Sequence, residues 1–321
     1  MSLKQRPRQT DLGFRLGTGV FAALLVAIVV GIGIELVRES TLAIQKFGLN
    51  FWVTETWDPV AGQFGALPFI WGTLYSSILA LIISTPVALG IAIFISELCP
   101  AWMRTPLVFL TELLAAIPSI VYGLWGIFVL VPAVRSLETM VPASLKQIPL
   151  FSGPPLGVGM LSASLVLAIM VVPFTASVAR EVLRSVPMPQ REGAYALGAT
   201  RYEAIAAAVF YARTGIIGAI MLGFGRALGE TMAVTMVIGN NPKISASLFA
   251  PQYTMAAVIA NEFAEADSAL YLDALVEIGL LLFVVTLIVN SISRLLIWSM
   301  ARPAARRQAA PAVVPATESA A

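Results

Sequence analysis

Gly223-Phe224-Gly225-Arg226-Ala227-Leu228-Gly229-Glu230-Thr231-Met232-Ala233-Val234 lies inside an otherwise uncharged run from Thr214 to Gly239. A helix rising 1.5 Å per residue crosses the ~30 Å hydrocarbon core with about 20 apolar residues, so this run is long enough to span a bilayer. Each charge placed near the middle of such a span costs at least about 2.5 kcal/mol on insertion scales. Two charges here therefore imply a protein-facing or water-filled interior, of the kind a transport path provides. Positions four apart share one helix face, so Arg226 and Glu230 are expected to meet. The alternative is a self-satisfied ion pair that only locks helix packing. A buried pair is weak evidence of stability, and cation before anion is the less favourable order on a helix.

Composition extends this reading to the whole chain. Of 321 residues, 58% are hydrophobic and only 12% charged, against roughly 25% charged in a soluble domain. Mean hydropathy is +0.87. The chain reads as an all-α membrane protein. A net charge of +2 gives no footing for nucleic acid, and the single cysteine, Cys99, excludes an internal disulfide framework. With no histidine, a zinc site or a histidine general base is excluded.

Six segments reach spanning length: Leu16 to Ile34, Phe69 to Ile95, Thr105 to Val134 with Glu112 inside it, Gly157 to Ala179, Thr214 to Gly239, and Glu277 to Trp298. A seventh apolar stretch, Ile244 to Asn261, is interrupted by Pro251 and Gln252 and reads as a re-entrant or interfacial piece. Pro86 and Pro118 fall within spans and are expected to kink them. Glu112 is expected to play a structural part, reaching Arg104 only through a neighbour. The first span follows a basic start and lacks a small-residue cleavage site, so it reads as a retained anchor.

Lys and Arg concentrate on one side. With the N-terminus inside, fourteen of the twenty basic residues fall on cytoplasmic segments and five on outer loops, Arg226 being the one within a span. Both termini are thus expected in the cytoplasm. The chain divides into three regions: 1–68 with the first span and outer loop, 69–298 as the main bundle, and 299–321 as a disordered tail. Phe51, Trp52 and Trp57 in the first outer loop read as interfacial anchors or partner contacts.

Between the fourth and fifth spans lies a polar loop, 180–213, with a helix-like stretch Gln190 to Glu203. Its small residues Gly193, Ala194, Ala196, Gly198 and Ala199 admit close approach of another backbone, and Glu192, Arg201 and Glu203 offer charged rim contacts. A docking helix and an amphipathic connector on the headgroups both fit this spacing. Gly223, Gly225 and Gly229 read as sites of close helix packing rather than as a nucleotide loop, since no strand precedes them. No phosphate-binding G-x-x-x-x-G-K-[ST] motif occurs, so energy for any active transport must come from elsewhere.

Glu192-Gly193-Ala194-x-x-x-Gly198, followed after nine intervening residues by Ala208-Val209-Phe210-Tyr211, resembles the E-A-A-x-x-x-G-x9-I-x-L-P loop of type I ABC importer permeases. It departs from that pattern at Gly193, Ala208 and Tyr211. Two longer stretches, Ala115 to Gly126 (AAIPSIVYGLWG) and Gly223 to Val234, resemble spans of the permease subunits of high-affinity phosphate importers, and this resemblance covers nearly the whole chain. It implies a type I ABC importer permease fold in the bacterial cytoplasmic (inner) membrane. The chain itself would bind no cofactor and perform no covalent chemistry. ATP and Mg would be used by two separate ATPase subunits docked on Glu192, Gly193, Ala194 and Gly198. A second, homologous permease would complete the pathway, and an extracytoplasmic phosphate-binding protein would deliver substrate. Arg226 and Glu230 would lie on the substrate path, the carboxylate holding the arginine until phosphate exchanges for it. Other oxyanions such as sulfate or molybdate, or a stand-alone ion-coupled carrier or channel, remain the competing functions.

Overall fold

The computed structural model describes residues 9–308. The chain is helical, with isolated bridges but no β-strand among the described residues. Its helices are α1 (Gln9–Glu39), α2 (Thr41–Phe47), α3 (Leu67–Ile93), α4 (Ala101–Ala116), α5 (Ser119–Trp125), α6 (Val131–Met140), α7 (Met160–Arg184), α8 (Met188–Ala196), α9 (Arg201–Leu228), α10 (Met232–Thr235), α11 (Met255–Glu262) and α12 (Ala269–Gln308). Among the described residues six stretches are long and apolar enough to cross a membrane: Gly13–Glu39, Leu67–Leu98, Ser119–Met140, Met160–Arg184, Arg201–Leu228 and Ala269–Met300.

The six expected spans are all present, with moved boundaries. The third is divided. Pro118 disfavours helical backbone at the residue before it, and Ile117 takes ψ 129, ending α4 at Ala116. Pro118 thus breaks the segment rather than kinking it, and the crossing stretch is Ser119–Met140. Pro86 stays inside α3. The fifth span ends at Leu228, well short of Gly239. α12 continues to Gln308, so the 299–321 segment expected to be irregular begins as helix; 309–321, and the basic residues Lys4, Arg6 and Arg8, lie outside the described residues.

α7 is the central and most buried helix, packed along α3 and against α9. On α3 the contact is a row of small residues four apart, Ser76, Ala80, Ser84, Ala88 and Ala92, all buried. In lipid, helices gain little from hydrophobicity against one another, so close approach over small side chains supplies the van der Waals contact. α7 answers with Ala163, Ala168, Ala176 and Ala179. Among the described residues α1 packs mainly along α12 and α2 and is largely exposed, with Gly33 admitting the Phe283 ring.

Ile244 to Asn261 does not cross as a helix. It is extended until Thr254 and then forms α11. Its carbonyls satisfy donors that α7 leaves orphaned at its start: Met160 N–H donates to Ala250 O at 3.2 Å and Leu161 N–H to Leu248 O at 2.8 Å. From α3, Trp71 Nε1 donates to Ser245 O at 3.0 Å and the Tyr75 hydroxyl to Ala246 O at 2.9 Å. Gly72 makes room for the Tyr253 carbonyl, which a Cβ would strike.

Beside it, Phe51, Phe64, Phe69, Tyr253 and Tyr271 form one aromatic core with Trp57. Trp57 Nε1 donates to Glu262 Oε2 at 2.9 Å and the Tyr271 hydroxyl to the same oxygen at 2.6 Å. Phe51 is 0% exposed. Phe51 is therefore an interior residue of this end of the bundle, not a surface anchor or partner contact, while Trp52 and Trp57 are half-buried and pack against the same core. Aromatic side chains in an outer loop carry the same sequence signal whether they face lipid or each other.

Candidate functional site

Arg226 and Glu230 are separated by the end of a helix. α9 stops at Leu228, Gly229 takes φ −93 and ψ 2, and Glu230 lies in the gap before α10. Glu230 Oε1 accepts from Ala233 N–H at 3.3 Å, in the first turn of α10. Among the described residues no ion pair joins Glu230 to Arg226. The expected pairing across one continuous turn is therefore not formed, because the helix that would place the two on one face ends between them. Arg226 instead lies over the Phe174 ring of α7, 5.4 Å from its centroid. Its Nε is buried without a hydrogen-bond partner. Leu222, Gly229 and Met232 beside it are exposed, so the guanidinium sits at the margin of an open face. A guanidinium is always charged and offers five donors in a planar fork; with donors unfilled, it is suited to take an oxyanion.

The two stretches singled out in the sequence meet here. α5 packs on α10: a Cβ on Gly123 would lie 2.8 Å from Met236 Sδ and 3.1 Å from Ala233 Cα, and one on Gly126 would lie 3.0 Å from Val166 and Val237. Both glycines are thus required by close approach. The Tyr122 hydroxyl reaches back across the Ile117-Pro118 break to donate to Leu114 O at 2.8 Å, joining Ile117 N–H at 3.4 Å on a carbonyl that Pro118, four residues on, has no N–H to serve. Of Gly223, Gly225 and Gly229, Gly223 is the tight one, set against Thr175 and Val171 of α7; further back on α9, Gly215 is also tight, against Val182. Gly225 has no neighbour nearer than Asn290 Oδ1 at 3.7 Å, and Gly229 has only the Gly225 carbonyl at 4.0 Å. Close packing therefore falls at Gly223, not at the Gly225/Gly229 spacing.

At the other end of α9 is α8. The expected helix from Gln190 to Glu203 is two helices. α8 ends in a turn where Gly198 adopts φ +85, its N–H bonded to Tyr195 O at 2.9 Å and Ala199 N–H to Ala194 O at 3.1 Å. α9 then starts at a capping box. Thr200 accepts from Glu203 N–H at 3.4 Å, and Glu203 Oε2 accepts from Thr200 N–H at 2.7 Å. Thr200-x-x-Glu203 is a readable start signal that the small-residue spacing obscured.

Glu192, Gly193 and Gly198 are exposed and Ala194 is half-buried. Nothing lies within 4 Å of a Cβ placed on Gly193 or Gly198. Around them Leu197 is 91% and Tyr202 80% exposed, with Met188 and Tyr195 also outward. A cluster of exposed apolar side chains on a polar connector marks an interaction surface.

Three arginines tie this loop down. Arg191 pairs with Glu97 at 2.7 Å. Arg201 Nη2 donates to Glu97 O at 2.9 Å. Buried Arg180 of α7 pairs with Glu112 of α4 at 3.3 Å and with Glu181 at 2.7 Å. Glu112 thus bridges helices through Arg180, while Arg104 donates to Ser96 O. The Arg191–Glu97 and Arg180–Glu112 pairs join residues far apart in sequence, which spacing does not show.

The model of the family described as "Binding-protein-dependent transport system inner membrane component" matches residues 87–302. "Phosphate transport system permease protein PstC" of Mesorhizobium japonicum is 46% identical over 291 residues, 89% of each chain. That of Haemophilus influenzae is 47% identical, covering 89% of this chain and 93% of its own. The "Probable phosphate transport system permease protein PstC" of Methanocaldococcus jannaschii is 40% identical over 78% of this chain and 82% of its own. Among solved structures, an inward-facing MetNI methionine ABC transporter chain superposes with TM-score 0.55 at 13% identity, covering 72% of this chain and 94% of that one. This likeness supports the ABC importer permease fold alone. The chain belongs to the family of binding-protein-dependent transport system inner membrane components, alongside the phosphate permeases PstC.

Proposed function

We propose that this chain is the permease subunit of an ATP-driven importer that moves inorganic phosphate across the membrane, supplying one half of the pathway. The observation that carries the reading is the unpaired Arg226 guanidinium at the open end of α9, in a chain 46–47% identical to phosphate permeases over close to its full length. A tetrahedral oxyanion fills the vacant donors of Arg226. Glu230, engaged with the start of α10, sets the angle at which α10 leaves α9 and supplies a negative border to the site. Partner exchange between arginine and carboxylate gives way here to a simpler scheme, in which Arg226 waits unpaired.

The second half of the pathway comes from a PstA-like permease, the energy from two PstB-like ATPases using ATP and Mg, and the substrate from a PstS-like binding protein. The ATPases dock on the exposed crest around Glu192, Gly193, Ala194 and Gly198, which lacks cover among the described residues. The excess of basic residues on the α8 side supports a cytoplasmic location for both termini. The same crest disfavours a stand-alone carrier, which has no use for an uncovered apolar loop.

Uptake of labelled phosphate by vesicles containing the four-component system, with and without ATP and with the membrane potential dissipated, tests the assignment. Uptake that persists without ATP or without an ATPase subunit rules out an importer. A matched assay with labelled sulfate separates phosphate from other oxyanions.

A further inference from the structure

α3 ends in a π-helical turn, Phe94–Leu98, closed by Cys99 N–H donating to Phe94 O at 2.8 Å. The residue inserted by such a turn rotates the chain beyond it by about 100° relative to an uninterrupted α-helix. It is in this turn that the backbone and side chain of Glu97 both meet the segment on the far side of α7.

Arg191 sits on α8 next to Glu192, but neighbouring helical residues point about 100° apart. Glu192 stays on the exposed crest while Arg191 turns inward, its side chain 17% exposed and that of Glu97 11%. Its guanidinium serves three oxygen acceptors, with Met188 Sδ at 4.0 Å as a weaker fourth. Nη2 donates to Glu97 Oε1 at 2.7 Å and to Leu183 O at 3.0 Å, and Nη1 donates to Val186 O at 2.8 Å. Leu183 lies in the last turn of α7, where carbonyls lack helical partners and a cation is favoured. Arg201, the first residue of α9, adds its bond to the Glu97 carbonyl. Beneath these polar contacts Ala92 of α3, Ala179 and Leu183 of α7, and Ala208, Ala212 and Ile216 of α9 share one buried apolar cluster with Val186. The ends of α3, α7 and α9 are thus fixed to one another and to α8.

We propose that Arg191 and Glu97 form a strut that carries displacement of α8 directly to α3, so that a movement imposed on the crest enters the bundle through α3 as well as along α9. The proposal rests on the reading of α8 as the ATPase-docking element. α9 alone is a poor lever, since Gly198 and the capping box separate it from α8 by a turn. α3 is a good one, because its small-residue face packs along α7, whose Phe174 carries Arg226. Both are positioning residues; neither touches substrate.

The test uses the reconstituted four-component importer, with wild type, Glu97→Gln, the single chains Glu97→Ala and Arg191→Ala, and the double Glu97→Ala/Arg191→Ala chain. Two quantities are read: ATPase subunit co-purifying with the permease, and phosphate taken up per ATP hydrolysed. Glu97→Gln keeps shape and an acceptor but removes the charge. It is expected to leave ATPase recruitment intact and to lower uptake per ATP about five- to tenfold, the scale of losing a charge-assisted bond. The double variant should couple no worse than the weaker single alanine variant. An unchanged ratio in Glu97→Gln overturns the strut. So does loss of ATPase co-purification in the variants, which reduces the pair to shaping the docking helix. If the wild-type chain itself recruits no ATPase, the importer reading fails and the strut with it, a result distinct from any confined to the variants.

Discussion

The guanidinium of Arg226 rests on the ring of Phe174, 5.4 Å from its centroid, and not on the carboxylate of Glu230. A cation over an aromatic face is held by about 0.5–2 kcal/mol. That is strong enough to orient the side chain and weak enough to release it. The ring has no acceptor to offer the N–H donors, so these stay free for an anion.

Arg226→Lys keeps the charge and loses the fork. Phosphate uptake by the assembled system should fall about 10- to 100-fold, corresponding to one or two charge-assisted hydrogen bonds. Phe174→Leu should have a smaller effect, about three- to tenfold, mostly on apparent affinity, because it loosens the guanidinium without removing it. Initial-rate uptake against phosphate concentration measures both. Wild-type rates in Arg226→Lys would show that the residue is structural.

If Arg226 and Glu230 do not pair, their contributions to stability should add. Arg226→Gln, Glu230→Gln and the double variant, compared by thermal unfolding in detergent, are expected to give an interaction term within about 0.5 kcal/mol of zero. A larger favourable term would show that the two side chains meet in solution.

Thr200→Ala removes one half of the capping box that starts α9. The cost should be about 1 kcal/mol of stability, with Thr200→Ser close to neutral. Because this cap lies between the docking crest and α9, a lowered melting temperature with normal ATPase recruitment is the expected combination. Pull-down with the ATPase subunit beside the melting curve measures it.

Arg180 is buried yet leaves Nε and Nη1 without acceptors, while its partners Glu112 and Glu181 are more than half exposed. Such a group carries a desolvation cost without full compensation, and an apolar residue of similar volume is often as good or better. Arg180→Met should therefore be neutral or stabilising by up to about 1 kcal/mol. Glu112→Ala should cost no more than about 1 kcal/mol, because Glu112 itself is more than half exposed and Glu181 remains to pair with Arg180. Melting curves of the two variants in detergent measure both. A loss beyond about 3 kcal/mol in Arg180→Met would assign Arg180 a structural weight that its geometry does not show.

Arg226, Glu230 and Pro118 show where sequence reading reached its limit. The run from Thr214 to Gly239 was legible as apolar and charged at two points, and hydropathy alone placed it in a membrane. That α9 ends at Leu228 was not, because Gly229 is a weak helix former but not an obligatory stop, and the fit of α10 over Gly123 of α5 decides the matter. Pro118 carried a clear local signal, yet whether it kinks or breaks depends on what receives the freed carbonyls. Here Tyr122 takes that of Leu114. The capping box at Thr200 was available in the sequence and would have divided α8 from α9. The Arg191–Glu97 and Arg180–Glu112 contacts were not available, since each joins residues brought together only by the packing of α3, α4 and α8 around α7.

Local composition was enough to make this chain a six-span membrane protein with a polar connector between the fourth and fifth spans and an arginine in the fifth. Each of these features is legible residue by residue, because the cost of exposing a polar group to hydrocarbon falls on that group wherever the rest of the chain goes. The unpaired state of Arg226, the interior position of Phe51 and the bracing of α8 on Glu97 came from the folded bundle alone. Those outcomes depend on which distant side chain occupies a given few ångströms, and close packing of helices over small residues settles that for the whole bundle at once.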